Sequence, residues 1–132
     1  MRKKKILVVD DEENLRALYE GELSEEGYKV VTASSGEEAL SMLESERPDL
    51  VTLDIKMPGM GGIAALGAIR DKDPKLPVIM LTAYPEFKRD FDVWAADAYL
   101  TKTADLTELK AKVAFLLANE AAAKPATKRK EF

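Results

Sequence analysis

The chain predicts an α/β fold, a five-stranded parallel sheet covered by helices on both faces. Three observations carry this. Short apolar runs alternate with segments of helical periodicity five times along the chain. The connections between them are short, as in strand–helix–strand crossovers. The runs are rich in Val, Ile and Leu, as are strands buried on both sides.

Each element has its own signal. Strand one spans about Lys4 to Val9. A helix follows from about Glu13 to Glu26, with Leu15, Leu18, Tyr19 and Leu23 near helical spacing, and Gly27 stops it. Strand two is Tyr28 to Ala33. Ser35 and Glu38 stand at capping-box spacing, so a second helix runs to about Glu46 with Ala39, Leu40, Met42 and Leu43 inward. Pro48 separates it from strand three, Asp49 to Leu53.

Helix three starts near Gly62 and carries Ile63, Leu66 and Ile69. Gly67 inside it costs about 1 kcal/mol against Ala, a cost that a close approach to the sheet would explain. Pro77 opens strand four, which contains Val78 to Leu81. Pro85 suits the first turn of a short fourth helix ending near Trp94. Strand five is Ala98 to Thr101. The last helix, about Asp105 to Glu120, has a stripe of Leu106, Leu109, Val113, Leu116 and Leu117 and a capping box at Asp105 and Glu108. The domain is assigned to residues 1–120, and residues 121–132, rich in Ala and Lys, to a flexible tail.

Composition narrows the chemistry. With 132 residues the chain can build one domain with a real core. A net charge of −4 argues against nucleic acid or an anionic membrane as partner. No apolar stretch approaches a membrane span, and the basic start is followed by too short an apolar run for export, so a cytoplasmic location is expected. There are no cysteines and no histidines. Thiolate catalysis, Ser-His and Cys-His pairs and histidine-ligated metals are therefore excluded. Any metal must be held by oxygen, which suits Mg²⁺, with Mn²⁺ as substitute.

The strand ends deliver reactive groups. Run one ends in Asp10 and Asp11, run three in Asp54, run four in Thr82 and Ala83, run five in Lys102. In a parallel sheet these carboxyl ends share one edge, where ligands of such folds bind. Three carboxylates there repel one another unless a cation relieves them. Asp11 and Asp54 are candidate direct ligands, Asp10 acts through water, and the Lys56 carbonyl is a further ligand. Helix capping explains Asp11 to Glu13 equally well, but not Asp54 on another strand.

These motifs resemble the receiver domains of two-component response regulators. The likeness rests on Val8-Val9-Asp10-Asp11, on Asp54 with Met57-Pro58-Gly59-Met60 and Gly62, on Thr82-Ala83, and on Ala96-Asp97 with Tyr99-Leu100 and Lys102. It spans about Lys4 to Ala118. The resemblance implies a flavodoxin-like, doubly wound sheet of order 2-1-3-4-5. It makes Asp54 the phosphoacceptor, served in trans by a histidine kinase or histidine phosphotransfer protein, with Mg²⁺ on Asp10, Asp11 and Asp54. Thr82, the Ala83 N–H and Lys102 would hold phosphoryl oxygens, and Tyr99 would be the aromatic switch of the surface around strand five. Lys56 and Tyr84, two residues beyond Asp54 and Thr82, are assigned to shielding the phosphoryl group and lengthening its lifetime.

On this reading the protein is a signalling phosphoacceptor, not an enzyme for other substrates, although it phosphorylates and dephosphorylates itself with Mg²⁺. It is a stand-alone monomer that phosphorylation can pair into a dimer, and it docks on a downstream effector protein. The alternative is a fragment of a longer regulator with a DNA-binding or enzymatic output. A flavin or dinucleotide site is excluded by the acidic loop after strand one.

Three positions depart from the family. Thr103 replaces the usual proline after Lys102, so a trans bond, or a visibly strained cis one, is expected there. Ala95 stands where Gly is frequent, and Gly61 where an acid is frequent.

Overall fold

The computed structural model describes residues 3–83, 96–102 and 105–118. The sheet has five parallel strands: β1 (Lys5–Val9), β2 (Lys29–Ala33), β3 (Leu50–Asp54), β4 (Val78–Thr82) and β5 (Ala98–Thr101). Their spatial order is β2-β1-β3-β4-β5. The chain therefore winds one way from β1 to β2 and the other way from β1 to β3, which opens a crevice at the carboxyl ends of β1 and β3.

Strand alternation divides the core in two. Leu7, Val9, Val51, Leu53, Val78 and Met80 face α2 (Gly36–Glu46) and α3 (Gly62–Lys72). Ile6, Val8, Leu50, Ile79, Leu81 and Leu100 face α1 (Glu13–Glu25) and the C-terminal helix (Thr107–Ala118). The central strands β3 and β4 are buried throughout, whereas the edge strands β2 and β5 are only half-buried. A 2.7 Å ion pair from Lys110 to Glu22 joins the C-terminal helix to α1.

Helix ends follow their sequence signals with informative differences. Gly27, at φ 99°, lets the chain leave α1 through a Schellman turn. Its N–H donates to the Ser24 carbonyl, and the Tyr28 N–H to that of Leu23. At α2, Ser35 Oγ accepts from the Glu38 N–H at 3.1 Å. The reciprocal half of the expected box is shifted by one residue, because the Glu38 carboxylate accepts from the N–H and hydroxyl of Ser34. Asp105 accepts from the N–H and hydroxyl of Thr107, two residues on, so it makes a turn before a helix that begins at Thr107.

Two expected core positions and one glycine are corrected. Leu18 is 37% and Ile63 40% exposed, so the inward faces are Tyr19 with Leu23 on α1 and Ala65, Leu66 and Ile69 on α3. An added Cβ on Gly67 would meet nothing within 4 Å, so that glycine makes no close approach. Gly62 does. A Cβ there would collide with the Asp54 carbonyl oxygen and stand 2.7 Å from Ile55 Cα. The α3 N-terminus thus packs directly on the backbone at the end of β3, and the Gly62 N–H donates to the Ile55 carbonyl at 2.8 Å.

The expected fourth helix, Tyr84, Ala95, the Lys102–Thr103 bond and the tail lie outside the described residues.

Candidate functional site

Three strands end at one place. Asp10 follows β1, Asp54 closes β3, and Lys102 follows β5. By alternation all three side chains continue the face that carries Val8, Thr52 and Leu100. The Lys102 ammonium bridges the two acids, 2.8 Å from Asp10 Oδ2 and 3.2 Å from Asp54 Oδ1. Its backbone N–H donates to the Thr82 carbonyl at 2.7 Å, which fixes the end of β5 against β4.

The acids are buried, with Asp10 1% and Asp54 4% exposed. Asp10 Oδ1 accepts from the Glu12 N–H at 2.9 Å. Asp10 Oδ2 is within ion-pair distance of Lys102 and makes no hydrogen bond of good geometry among the described residues. Distance decides the Coulomb attraction and angle decides the hydrogen bond, so both facts hold together.

Burial pushes the Asp54 carboxyl up from 3.8 to about 6. Lys102 opposes that rise, Asp10 adds to it, and the Lys56 N–H, which donates to the carboxylate, lowers it slightly. For Lys102, burial alone would lower the amine, but Asp10 and Asp54 together hold it above its ordinary value. The site is a buried acid pair kept tolerable by one ammonium.

The remaining predicted residues fall around this centre. Asp11 is exposed and, with Asp10 and Glu12, forms a cluster whose carboxylate oxygens lie within 4.8 Å of one another. Asp54 stands beside that cluster rather than in it. Lys56 is exposed on the loop after β3. Thr82 is 1% exposed at the end of β4, and Ala83 follows it in the open. Tyr99 pairs with Met80, and Thr82 with Thr101. Thr82 and Tyr99 therefore share one face of adjacent strands, and Tyr99 packs on the core beneath α2 and α3.

Sequence reasoning missed Glu12, which it treated as part of a helix start. Its adjacency to two acids was the available signal. It also missed Gly62 as the close contact of Asp54, and Thr52, whose buried hydroxyl has no hydrogen-bond partner.

The donor set suits a hard divalent cation. Every candidate ligand is oxygen, two acids are buried, and one buried carboxylate oxygen lacks a hydrogen bond.

The response regulator receiver domain model matches residues 6–114, and the chain belongs to that family. It is 41% identical over 132 residues to the alkaline phosphatase synthesis transcriptional regulatory protein PhoP of Bacillus subtilis, covering 96% of this chain and 54% of the relative. The chain spans about half the length of the curated transcriptional regulators it matches. Sporulation initiation phosphotransferase F of B. subtilis is 38% identical over 112 residues, 83% of this chain and 90% of that protein. Among solved structures, the response regulator TrrA of Thermotoga maritima in complex with Mg²⁺-BeF is 50% identical, with a TM-score of 0.82 over 86% of this chain and 98% of that one. TrrA has also been solved in complex with the histidine kinase ThkA.

Proposed function

We propose that Asp54 accepts a phosphoryl group from the phosphohistidine of a separate kinase or phosphotransfer protein. The observation that carries this is the buried Asp54 carboxylate at a strand end, 3.2 Å from the Lys102 ammonium. Both partners are largely buried, unlike those of the surface ion pair between Lys110 and Glu22. The 132 residues hold no histidine, so the phosphohistidine lies outside them. TrrA, which binds a histidine kinase and Mg²⁺-BeF, supports the same assignment here.

The reaction is in-line displacement. The Asp54 carboxylate attacks phosphorus, the bond to the donor nitrogen breaks, and an acyl phosphate forms at Asp54 Oδ. Asp10, Asp11 and Asp54, with the Lys56 carbonyl, would hold Mg²⁺, which would supply positive charge at the transferring oxygens. Glu12 adds carboxylate charge beside that position. Lys102 moves its charge from the carboxylate to a phosphoryl oxygen, and Thr82 and the Ala83 N–H donate to others. Burial matters here, because these interactions strengthen as water is excluded.

Thr82 is drawn toward the phosphoryl group, and the space it leaves takes the Tyr99 ring. Their common face on β4 and β5 supports this switch. The altered surface around β5 is read by a downstream effector or a second copy. Lys56 and Tyr84 shield the acyl phosphate from water, so Lys56→Ala and Tyr84→Ala are expected to dephosphorylate faster. A cytoplasmic site of action goes with this reading, as does a receiver unit ending near residue 120.

The test is transfer from a radiolabelled, autophosphorylated histidine kinase. Label passing to the wild type and not to Asp54→Ala supports the proposal, and label on both, or on neither, overturns it. A second reading is favoured by the length of PhoP, of which this chain covers 54%. There the unit serves as the receiver of a transcriptional regulator. The mass of the native protein on an immunoblot separates a single-domain relay protein from a regulator about twice as long.

A further inference from the structure

Tyr19 is a buried titratable group to which the chemistry above gives no task. It lies on α1, 2% exposed, among the apolar residues between α1, the sheet and the C-terminal helix. Apolar packing explains the ring, but a phenol in a core needs a partner for its hydroxyl. Phe or Leu would fill the same space without that need.

The site supplies a candidate partner, Lys102. Tyr19 and Lys102 line one small, partly open cavity, together with Leu81, Leu100, Thr101 and Asp105. Its volume is about 10 Å³, room for roughly one water molecule. The charges that act on Tyr19 are Lys102, then Asp10, Asp54 and Glu12, with Lys102 the strongest. Burial holds the phenol neutral, above its ordinary 10.0, so it can donate and accept.

We propose that Tyr19 is a positioning residue for Lys102, giving its ammonium a neutral partner when a cation at the acids displaces it from Asp10. The need arises from charge. The ammonium sits 2.8 Å from Asp10 Oδ2. A divalent cation on the same carboxylate repels it at close range. The ammonium has three donors and no acceptor, and it is largely buried. Once pushed off Asp10 it needs an uncharged oxygen that does not draw it away from Asp54. The Tyr19 hydroxyl, directly or through the single water, is that oxygen.

The role in transfer rests on the phosphoacceptor reading, but the first measurement does not. The Lys102 ammonium resonance is followed by ¹⁵N NMR in the wild type and Tyr19→Phe, with EDTA and then with saturating Mg²⁺. Tyr19→Phe keeps the ring and removes one oxygen, so folding is expected to survive. In Mg²⁺ the ammonium hydrogens of Tyr19→Phe are expected to exchange with water at least about five-fold faster than wild type, the loss of one hydrogen bond. Equal exchange overturns the proposal. The second measurement is the rate of phosphorylation by acetyl phosphate. Tyr19→Phe is expected to slow it about five-fold in the wild type and less than about two-fold in a Lys102→Ala background. An equal slowing in both backgrounds assigns Tyr19 to packing alone and overturns the proposal. If the wild type takes up no phosphoryl group, the phosphoacceptor reading falls while the ammonium exchange still decides the role of Tyr19.

Discussion

The Lys102 ammonium lies 3.2 Å from Asp54 Oδ1 and 2.8 Å from Asp10 Oδ2, so one cation serves two buried carboxylates. Removing it leaves the pair uncompensated. Lys102→Ala is expected to lose about 3 kcal/mol of stability in EDTA, the usual cost of breaking a buried pair. Mg²⁺ returns part of that loss by replacing the missing charge. Urea unfolding with EDTA and with Mg²⁺ checks both halves, and an equal loss in the two buffers would contradict the bridge.

Asp54 titrates in the opposite sense from an ordinary salt-bridged acid. Its folded pKa is raised from 3.8 to about 6, so the folded state holds the proton more tightly than the unfolded chain. Stability from this group is fully present below about pH 3.8 and is lost as pH rises through about 6. The buried charge then costs on the order of 3 kcal/mol in the absence of metal. Asp54→Asn is expected to be more stable than wild type at pH 8 in EDTA, by about 1–3 kcal/mol. The difference shrinks toward zero near pH 4, and Mg²⁺ at pH 8 also narrows it. Denaturation midpoints of the two proteins across pH 4–8 measure the window.

Two glycines of α3 are expected to respond in opposite directions to alanine. At Gly62 the new Cβ would stand 2.7 Å from Ile55 Cα and 2.9 Å from the Asp54 carbonyl carbon, backbone that has nowhere to move. Gly62→Ala is expected to lose about 2 kcal/mol or more by overpacking, and to slow phosphorylation by shifting Asp54. Gly67 is exposed with open space around it, so Gly67→Ala is expected to gain about 0.5–1 kcal/mol of helix stability. Thermal unfolding of both variants tests the pair.

At the other end of the sheet, Asp97 Oδ2 accepts from Arg70 at 3.0 Å and from the Val78 N–H at 2.9 Å. Arg70 also donates to the Leu76 carbonyl. These bonds tie α3 to the starts of β4 and β5. Asp97→Ala is expected to cost about 3 kcal/mol, because it removes the carboxylate from a largely buried ion pair and from the Val78 N–H. Phosphorylation rates at temperatures where the variant stays folded should change little, since Asp54 is at the far end of the strands.

Most of the architecture was legible because each element carried a local signal. Apolar runs marked the strands, and Ser35, Gly27 and Pro48 marked helix boundaries. Periodicity located the helices but not the angle at which they meet the sheet. That is why Leu18 and Ile63, at helical spacing with the core residues, nonetheless face water. Gly67 drew attention as a glycine inside a helix, whereas the close contact is Gly62, at a boundary where glycine needs no special reason. The site residues were legible as strand-end acids, hydroxyl and amine. Their pairing was not, because the Asp10–Lys102 contact joins residues from opposite ends of the chain. Tyr19 was hidden for a related reason, since in sequence it is one more member of a helical stripe.

The central claim is that Asp54 takes up a phosphoryl group with help from a cation at the neighbouring acids. Intact-mass measurement after incubation with acetyl phosphate tests it most directly. The account predicts addition of one phosphoryl group in Mg²⁺, none in EDTA, and none in Asp54→Ala. Uptake that persists in Asp54→Ala, or its absence from the wild type with Mg²⁺ and a competent kinase present, would contradict it.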